Sequence, residues 1–333
     1  MKVYSRHFDL PCLIIVLAVL LFASVAIGPE VLPLHETISA FTQFDASNTA
    51  HLLVRELRVP RTLVTFFCGS ALAIAGLITQ SMTRNPIAEP GLLGVNAGAS
   101  LAVIVTIAFF GAETAFVKML AGAAGAALCS LLVVKLGTGP YRFSQDKLVL
   151  AGVAFSAVCL ATGQLVIASA DLSVFEQYRH WMVGATAGKG FDVLWPLMGC
   201  WLVALVLALY IAPGIDVLML GNHLATALGV NEKWLSRGCL TVITLLAGAS
   251  TAAAGPILFT GLVVPFLCRC IAPVTHRRQL LLCAVIGGEV LLLADVSGRV
   301  VAAPGEVSTG IMMAILGGPV FIALARNVRG ATS

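Results

Sequence analysis

The chain has 333 residues, with 20 Lys plus Arg against 16 Asp plus Glu, so 11% of it is charged and the formal net charge is +4. Soluble domains carry about 25% charged residues, whereas 59% of this chain is hydrophobic. A water-soluble fold is excluded, because so few charges cannot keep the surface of a protein this size dispersed, and the small net charge gives nucleic-acid binding no support.

With no water at membrane depth, each segment must satisfy its own backbone hydrogen bonds, so the apolar runs are helices. In chain order they predict spans at 10–30, 58–82, 91–110, 115–136, 147–169, 192–212, 235–253, 256–270, 278–297 and 307–326. The expectation is an all-α polytopic membrane protein of about ten transmembrane helices, residues 1–333 forming a single transmembrane domain. Residues 10–27 follow Lys2 and Arg6 as a signal peptide would, but the run is long and no small-x-small site follows it, so it reads as a retained first span. The third span begins amid Gly91, Gly94 and Gly98, and the short eighth carries Pro256 and Pro265, so both are expected to be irregular where they pack on protein. Gly and Ala recur at 69–76, 120–128 and 245–255, which predicts close helix–helix approach.

An even number of spans puts both termini on one side. With the termini cytoplasmic, thirteen of the 20 Lys and Arg fall inside, as the positive-inside rule asks. The other seven include Arg55, Arg58 and Arg61 at the mouth of the second span and Arg299 at the end of the ninth, a basic cluster suited to an acidic partner outside. On the inner side, a polar interruption from about 213 to 231 contains DVLMLGNHLATALGVN. Its Leu218, Leu220, Leu224 and Leu228, punctuated by Gly221 and Gly229, predict two short amphipathic turns against which a soluble partner could seat.

The string GATAGKG at 184–190 is one residue short of a phosphate-cradling loop and has Gly190 where Ser or Thr would hold magnesium, so no ATP site is expected here. The six His lack metalloprotease spacing, and Cys268 and Cys270 lack the gap of zinc ligands. The nine Cys lie in or beside apolar stretches and read as packing residues. No metal, no cofactor and no enzymatic activity are expected, and no serine-hydrolase motif is found. Within the spans, Glu289 stands near the middle of the ninth, where a charge is costly unless paired, neutralised or hydrated. It is either a protonated packing residue or a proton-relay carboxylate. Asp295 and Arg299, one helical turn apart, predict an ion pair on one face. Gln80, Asn96 and Gln164 line a wet path or hydrogen-bond between helices.

RVPRTL (58–63) followed by AGLITQSMTRNPIAEPGLLGVNAGAS (75–100) resembles the signature of the permease subunits of iron-siderophore and vitamin B12 ABC importers, the FecCD/BtuC-type family. The resemblance continues through LAGVAF (150–155), Trp181 with Gly184, LGNHLATALGVN (220–231), AGPILFTGLVVPFLCR (254–269), LLLADVSGRV (291–300) and GIMMAILGGPVFIAL (310–324), in order along nearly the whole chain. GLLGVNAGAS looks particularly like the ferric-enterobactin branch, importers of a catecholate siderophore. The resemblance implies a type II importer (BtuC-like) permease fold in the bacterial inner membrane. It also implies a second permease subunit beside it, identical or paralogous, two ABC ATPase subunits beneath and a periplasmic or lipid-anchored substrate-binding protein above.

By position, Arg58, Arg61 and Arg299 match family residues that face acidic groups of the binding protein. The stretch at about 214–231 matches the cytoplasmic coupling helices, with Leu220, Gly221, Ala225, Leu228 and Gly229 at the ATPase surface, while Asn85, Gln145 and Asp146 match the inner gate. Three positions depart from the family pattern: Pro265 is followed by Phe266 rather than His, Ser308 and Thr309 stand where a Pro precedes the Gly of the last span, and Glu289 is not part of it. The expected function is import of an iron-siderophore complex, with membrane lipid as surroundings. The alternatives are a vitamin B12 or haem permease of the same family, a proton-coupled transporter using Glu289, and an intramembrane enzyme.

Overall fold

The computed structural model describes residues 9–28, 30, 32–137, 145–271 and 275–330, which among the described residues form helices and no strands. The α-helices are α1 (Asp9–Ala26), α2 (Leu34–Thr42), α3 (Thr49–Leu52), α4 (Val59–Thr83), α5 (Val95–Phe110), α6 (Ala115–Gly137), α7 (Gln145–Ala168), α8 (Leu172–Met182), α9 (Phe191–Leu218), α10 (Asn222–Ala227), α11 (Glu232–Ala254), α12 (Thr260–Ile271), α13 (His276–Val301) and α14 (Thr309–Gly330). Six helical segments are long and apolar enough to cross a membrane, namely Thr49–Thr83, Ala115–Leu136, Lys147–Ala168, Phe191–Leu218, Glu232–Ala254 and His276–Val301. Four shorter apolar helices, in α1, α5, α12 and α14, complete a set that corresponds one for one with the ten spans expected from the sequence.

The boundaries differ most from the sequence reading at two spans. The second span begins earlier, because a π-helical turn over Leu53–Arg58 joins α3 to α4 without a break. The sixth runs through Pro213 to Leu218 rather than ending near 212. The missing proline N–H is outweighed there by packing: Ile211, Ala212, Ile215 and Leu218 keep a buried stripe at helical spacing. The Leu218 carbonyl at the helix end accepts a bond from Arg84 Nη2 at 2.9 Å. The expected irregular starts are present. Pro90–Leu93 is a 3-10 turn, Gly94 takes a left-handed conformation (φ 77°) to open α5, and Gly255–Leu258 is non-helical before α12.

α4, α11 and α13 form the centre of the bundle and are buried along most of their lengths. In lipid no hydrophobic force draws helices together, so close backbone approach must supply the dispersion energy. Gly76 meets the Gly261 backbone of α12, Gly69 meets Gly287 of α13, and Gly98 of α5 meets Gly125 of α6, each with no room for a Cβ. Polar side chains bridge helices as well. Trp201 Nε1 donates to Ser70 Oγ (2.8 Å), Thr251 Oγ1 to Asn96 Oδ1 (2.8 Å), and Arg269 Nη2 to Gln80 Oε1 (2.7 Å). Gln80 and Asn96 are thus interhelical hydrogen-bonding residues, whereas Gln164 is exposed on α7. At the periphery, α7 and α14 turn apolar side chains such as Leu150, Leu165, Ile315 and Ile322 outward.

Candidate functional site

The first span ends in carbonyls that its own helix cannot satisfy, and two arginines from distant helices take them. Arg58 Nη1 donates to Val25 O (3.1 Å) and Ala26 O (2.7 Å), and its Nη2 to Glu30 O (2.5 Å). Arg299 Nη1 donates to Ser24 O (2.6 Å) and Ile27 O (2.8 Å). Cations at a helix C-terminus are favoured by its partial negative charge, which explains how Arg58 and Arg299 can be 5% and 2% exposed.

Asp295, also buried, is the counter-ion. It is bound by Arg299 Nη2 one turn along α13, as the spacing predicts, and by Arg61 Nη2 from α4 at 2.9 Å. Its Oδ1 accepts further bonds from Thr186 Oγ1 (3.0 Å) and Thr309 Oγ1 (2.8 Å). Arg61 then extends to Glu306 in the turn before α14, at 2.8 Å. One carboxylate therefore ties α4, α13, the 184–190 connection and the start of α14 into one unit at what we term the Arg299 end. Thr309, noted in the sequence only as a departure from the family pattern, is a member of it, and neither Thr186 nor Glu306 was singled out there. Arg55 stands apart, half-exposed with its guanidinium carbon 4.2 Å from the centre of the Phe44 ring.

At the opposite end, His276 Nδ1 lies 2.6 Å from Asp216 Oδ1 and its Nε2 2.8 Å from Ser81 Oγ. These contacts pin the end of α9 to the starts of α13 and the end of α4. Beyond them, Gly221 (φ 110°) and Gly229 (φ 81°) bracket the short α10, in left-handed conformations that only glycine adopts without strain. One short helix stands where two amphipathic turns were expected. Leu220, Leu224 and Leu228 are 62%, 56% and 64% exposed, while Ala225 is buried against the bundle, so three leucines stand on the open side of this element, beside His223 and Thr226. Asn85 is exposed just after α4, its Oδ1 accepting from Ile87 N at 3.1 Å. Gln145 and Asp146 open α7, and their side chains lie outside the described residues.

Nearby, the sequence reading passed over Glu89. Its Oε1 accepts from Phe259 N (3.0 Å), a residue in the left-handed region at φ 68° just ahead of α12. Burial pushes the Glu89 carboxyl above the usual glutamate range, the Phe259 bond opposing. Glu289 lies buried in α13 with Oε1 lacking a hydrogen-bond partner among the described residues. No group of three or more His, Cys, Asp and Glu suited to a metal ion occurs among the described residues.

Known proteins match this chain over nearly its full length. The ferric enterobactin transport system permease protein FepD of Escherichia coli (strain K12) is 37% identical over 326 residues, covering 97% of this chain and 96% of that protein. The Fe(3+) dicitrate transport system permease protein FecC of the same organism is 35% identical over 278 residues, 83% of each chain. Among solved structures, a metal-chelate type ABC transporter in an inward-facing conformation superposes with a TM-score of 0.82 at 24% identity, covering 95% of this chain and 97% of that one. The model of the FecCD transport family matches residues 16–327; the chain belongs to that family.

Proposed function

We propose that the chain is the permease subunit of an ATP-driven importer that moves an intact ferric siderophore, a ferric catecholate such as ferric enterobactin, across the bacterial cytoplasmic membrane. The observation that carries this reading is the near full-length likeness to the ferric enterobactin permease. This chain does no covalent chemistry; it offers a path that opens to one side at a time. An ATPase subunit seats on the leucine face around α10, with Gly221 and Gly229 as the pivots. Because the Asp216–His276–Ser81 contacts join α9, α13 and α4, displacement of α10 is passed to the central helices. Nucleotide then biases one of two discrete packings. Asn85, Gln145 and Asp146 stand at this end as the gate.

A substrate-binding protein docks at the Arg299 end. Arg58, Arg61 and Arg299 serve that docking by fixing the end of α1 and the turn before α14, the rim on which the partner rests. A second permease subunit covers apolar surface of α7 and α14. Both termini are cytoplasmic in this arrangement. Radiolabelled iron uptake in a strain lacking the chain, restored by the chain with its partners, tests the reading. Ferric catecholate is expected to accumulate, and haem, cobalamin and hydroxamate chelates are not. Uptake that survives loss of the ATPase but stops with Glu289→Gln would replace it with proton coupling.

A further inference from the structure

At the Arg299 end a half-open cavity of about 350 Å³ lies between the starts of α6 and α14, α8 and the 184–190 connection, at the small end of the roughly 300–1,000 Å³ usual for ligand sites. Its wall carries three cationic side chains, Arg61, Lys118 and Lys189, together with His180, against two carboxylates, Glu113 and Glu306. Glu306 is engaged by Arg61, Lys118 Nζ donates to Gln177 Oε1 at 3.1 Å, and Glu113 is exposed at the rim. Lys189 makes no hydrogen bond or ion pair among the described residues. Burial holds its ammonium below the usual lysine range; the neighbouring Lys118 pushes the same way, while Cys68 and Asp192 oppose. Two buried N–H donors on residues of the same wall, Trp181 Nε1 and Arg61 Nε, have no acceptor among the described residues. Trp181 itself is 6% exposed. Buried donors without acceptors are costly, and a partly desolvated cation on the same wall gains from pairing with an oxyanion.

We propose that this cavity is an entry subsite for anionic ferric chelates, in which Lys189 pairs with the carboxylate or catecholate oxygens at the edge of the complex. The proposal rests on the importer reading and names the charge class of its cargo. The cavity admits an oxygen-bearing edge rather than a whole tris-chelate. A neutral trihydroxamate complex brings no net charge for Lys189 to pair with and gains little.

The test is equilibrium binding to the full chain in lipid nanodiscs, using gallium(III) tris-catecholate, a redox-inert trianion, and a neutral gallium(III) trihydroxamate. The trianion is expected to bind about tenfold or more tightly, the range of one charge-assisted contact, and to weaken with added salt. Lys189→Gln should abolish the preference and Lys189→Arg should keep it. Equal affinities in the unaltered chain, or a preference that survives in folded Lys189→Gln, overturn the proposal. So does a Lys189→Gln chain that loses only its binding protein, which would make the cavity a docking socket. Iron uptake by the unaltered chain is read separately: failed uptake with intact Lys189-dependent binding refutes the importer reading alone.

Discussion

At the scale of single residues, Asp295 balances Arg61 and Arg299 in a place without solvent. Removing one partner of a buried ion pair costs about 3–5 kcal/mol because the other charge is left uncompensated. Asp295→Ala should therefore lower thermal stability in detergent by that order, with Asp295→Asn losing less because it still accepts from Thr186 and Thr309; equal melting of all three chains would refute the hub. The one-turn spacing of Asp295 and Arg299 is legible in the sequence, but Arg61 lies 234 positions away and nothing local announces it.

Glu89 behaves differently, since its folded state holds the proton more tightly than the unfolded chain. Stability from this group is greatest at low pH and falls as pH rises through the usual glutamate range towards the raised value. Glu89→Gln keeps the acceptor for Phe259 N and should flatten that slope, so melting temperatures followed from pH 4 to 8 should converge on the parent at the acid end.

At the scale of elements, the Gly-rich runs promised close packing but not which helices meet. That depends on rotation of each helix about its axis, which periodicity alone leaves open when a span is apolar all round. Gly76 packs on a peptide carbonyl of α12, so Gly76→Val must force α4 and α12 apart, an overpacking cost of about 1–3 kcal/mol or more. Gly199→Ala in α9 is the control, because a Cβ there meets nothing within 4 Å and helix propensity improves by up to about 1 kcal/mol. Folded yield after detergent extraction should drop for the first and hold or rise for the second. The extension of α9 past Pro213 shows the same limit: proline reads as an end, and burial of Ile215 and Leu218 decides otherwise.

At the scale of the whole molecule, three exposed leucines at the Asp216 end and a closed ionic unit at the Arg299 end make the two faces chemically unlike. Replacing Leu220, Leu224 and Leu228 together by Ser should leave stability within about 0.5 kcal/mol per site, since exposed positions contribute little. It should nonetheless uncouple ATP hydrolysis from iron uptake; full uptake by the triple variant would exclude this face as the ATPase seat.

The sequence by itself determined the solvent, the helical class, the ten spans and the positions of the two polar ends, because hydrophobicity and backbone satisfaction act along the chain. Only the tertiary structure decided that Arg58 and Arg299 cap the first helix, that Ala225 faces inward, and that Thr186, Thr309, Glu306 and Lys189 gather at one end. Those outcomes depend on which helices become neighbours, and that choice is made by packing between segments hundreds of residues apart.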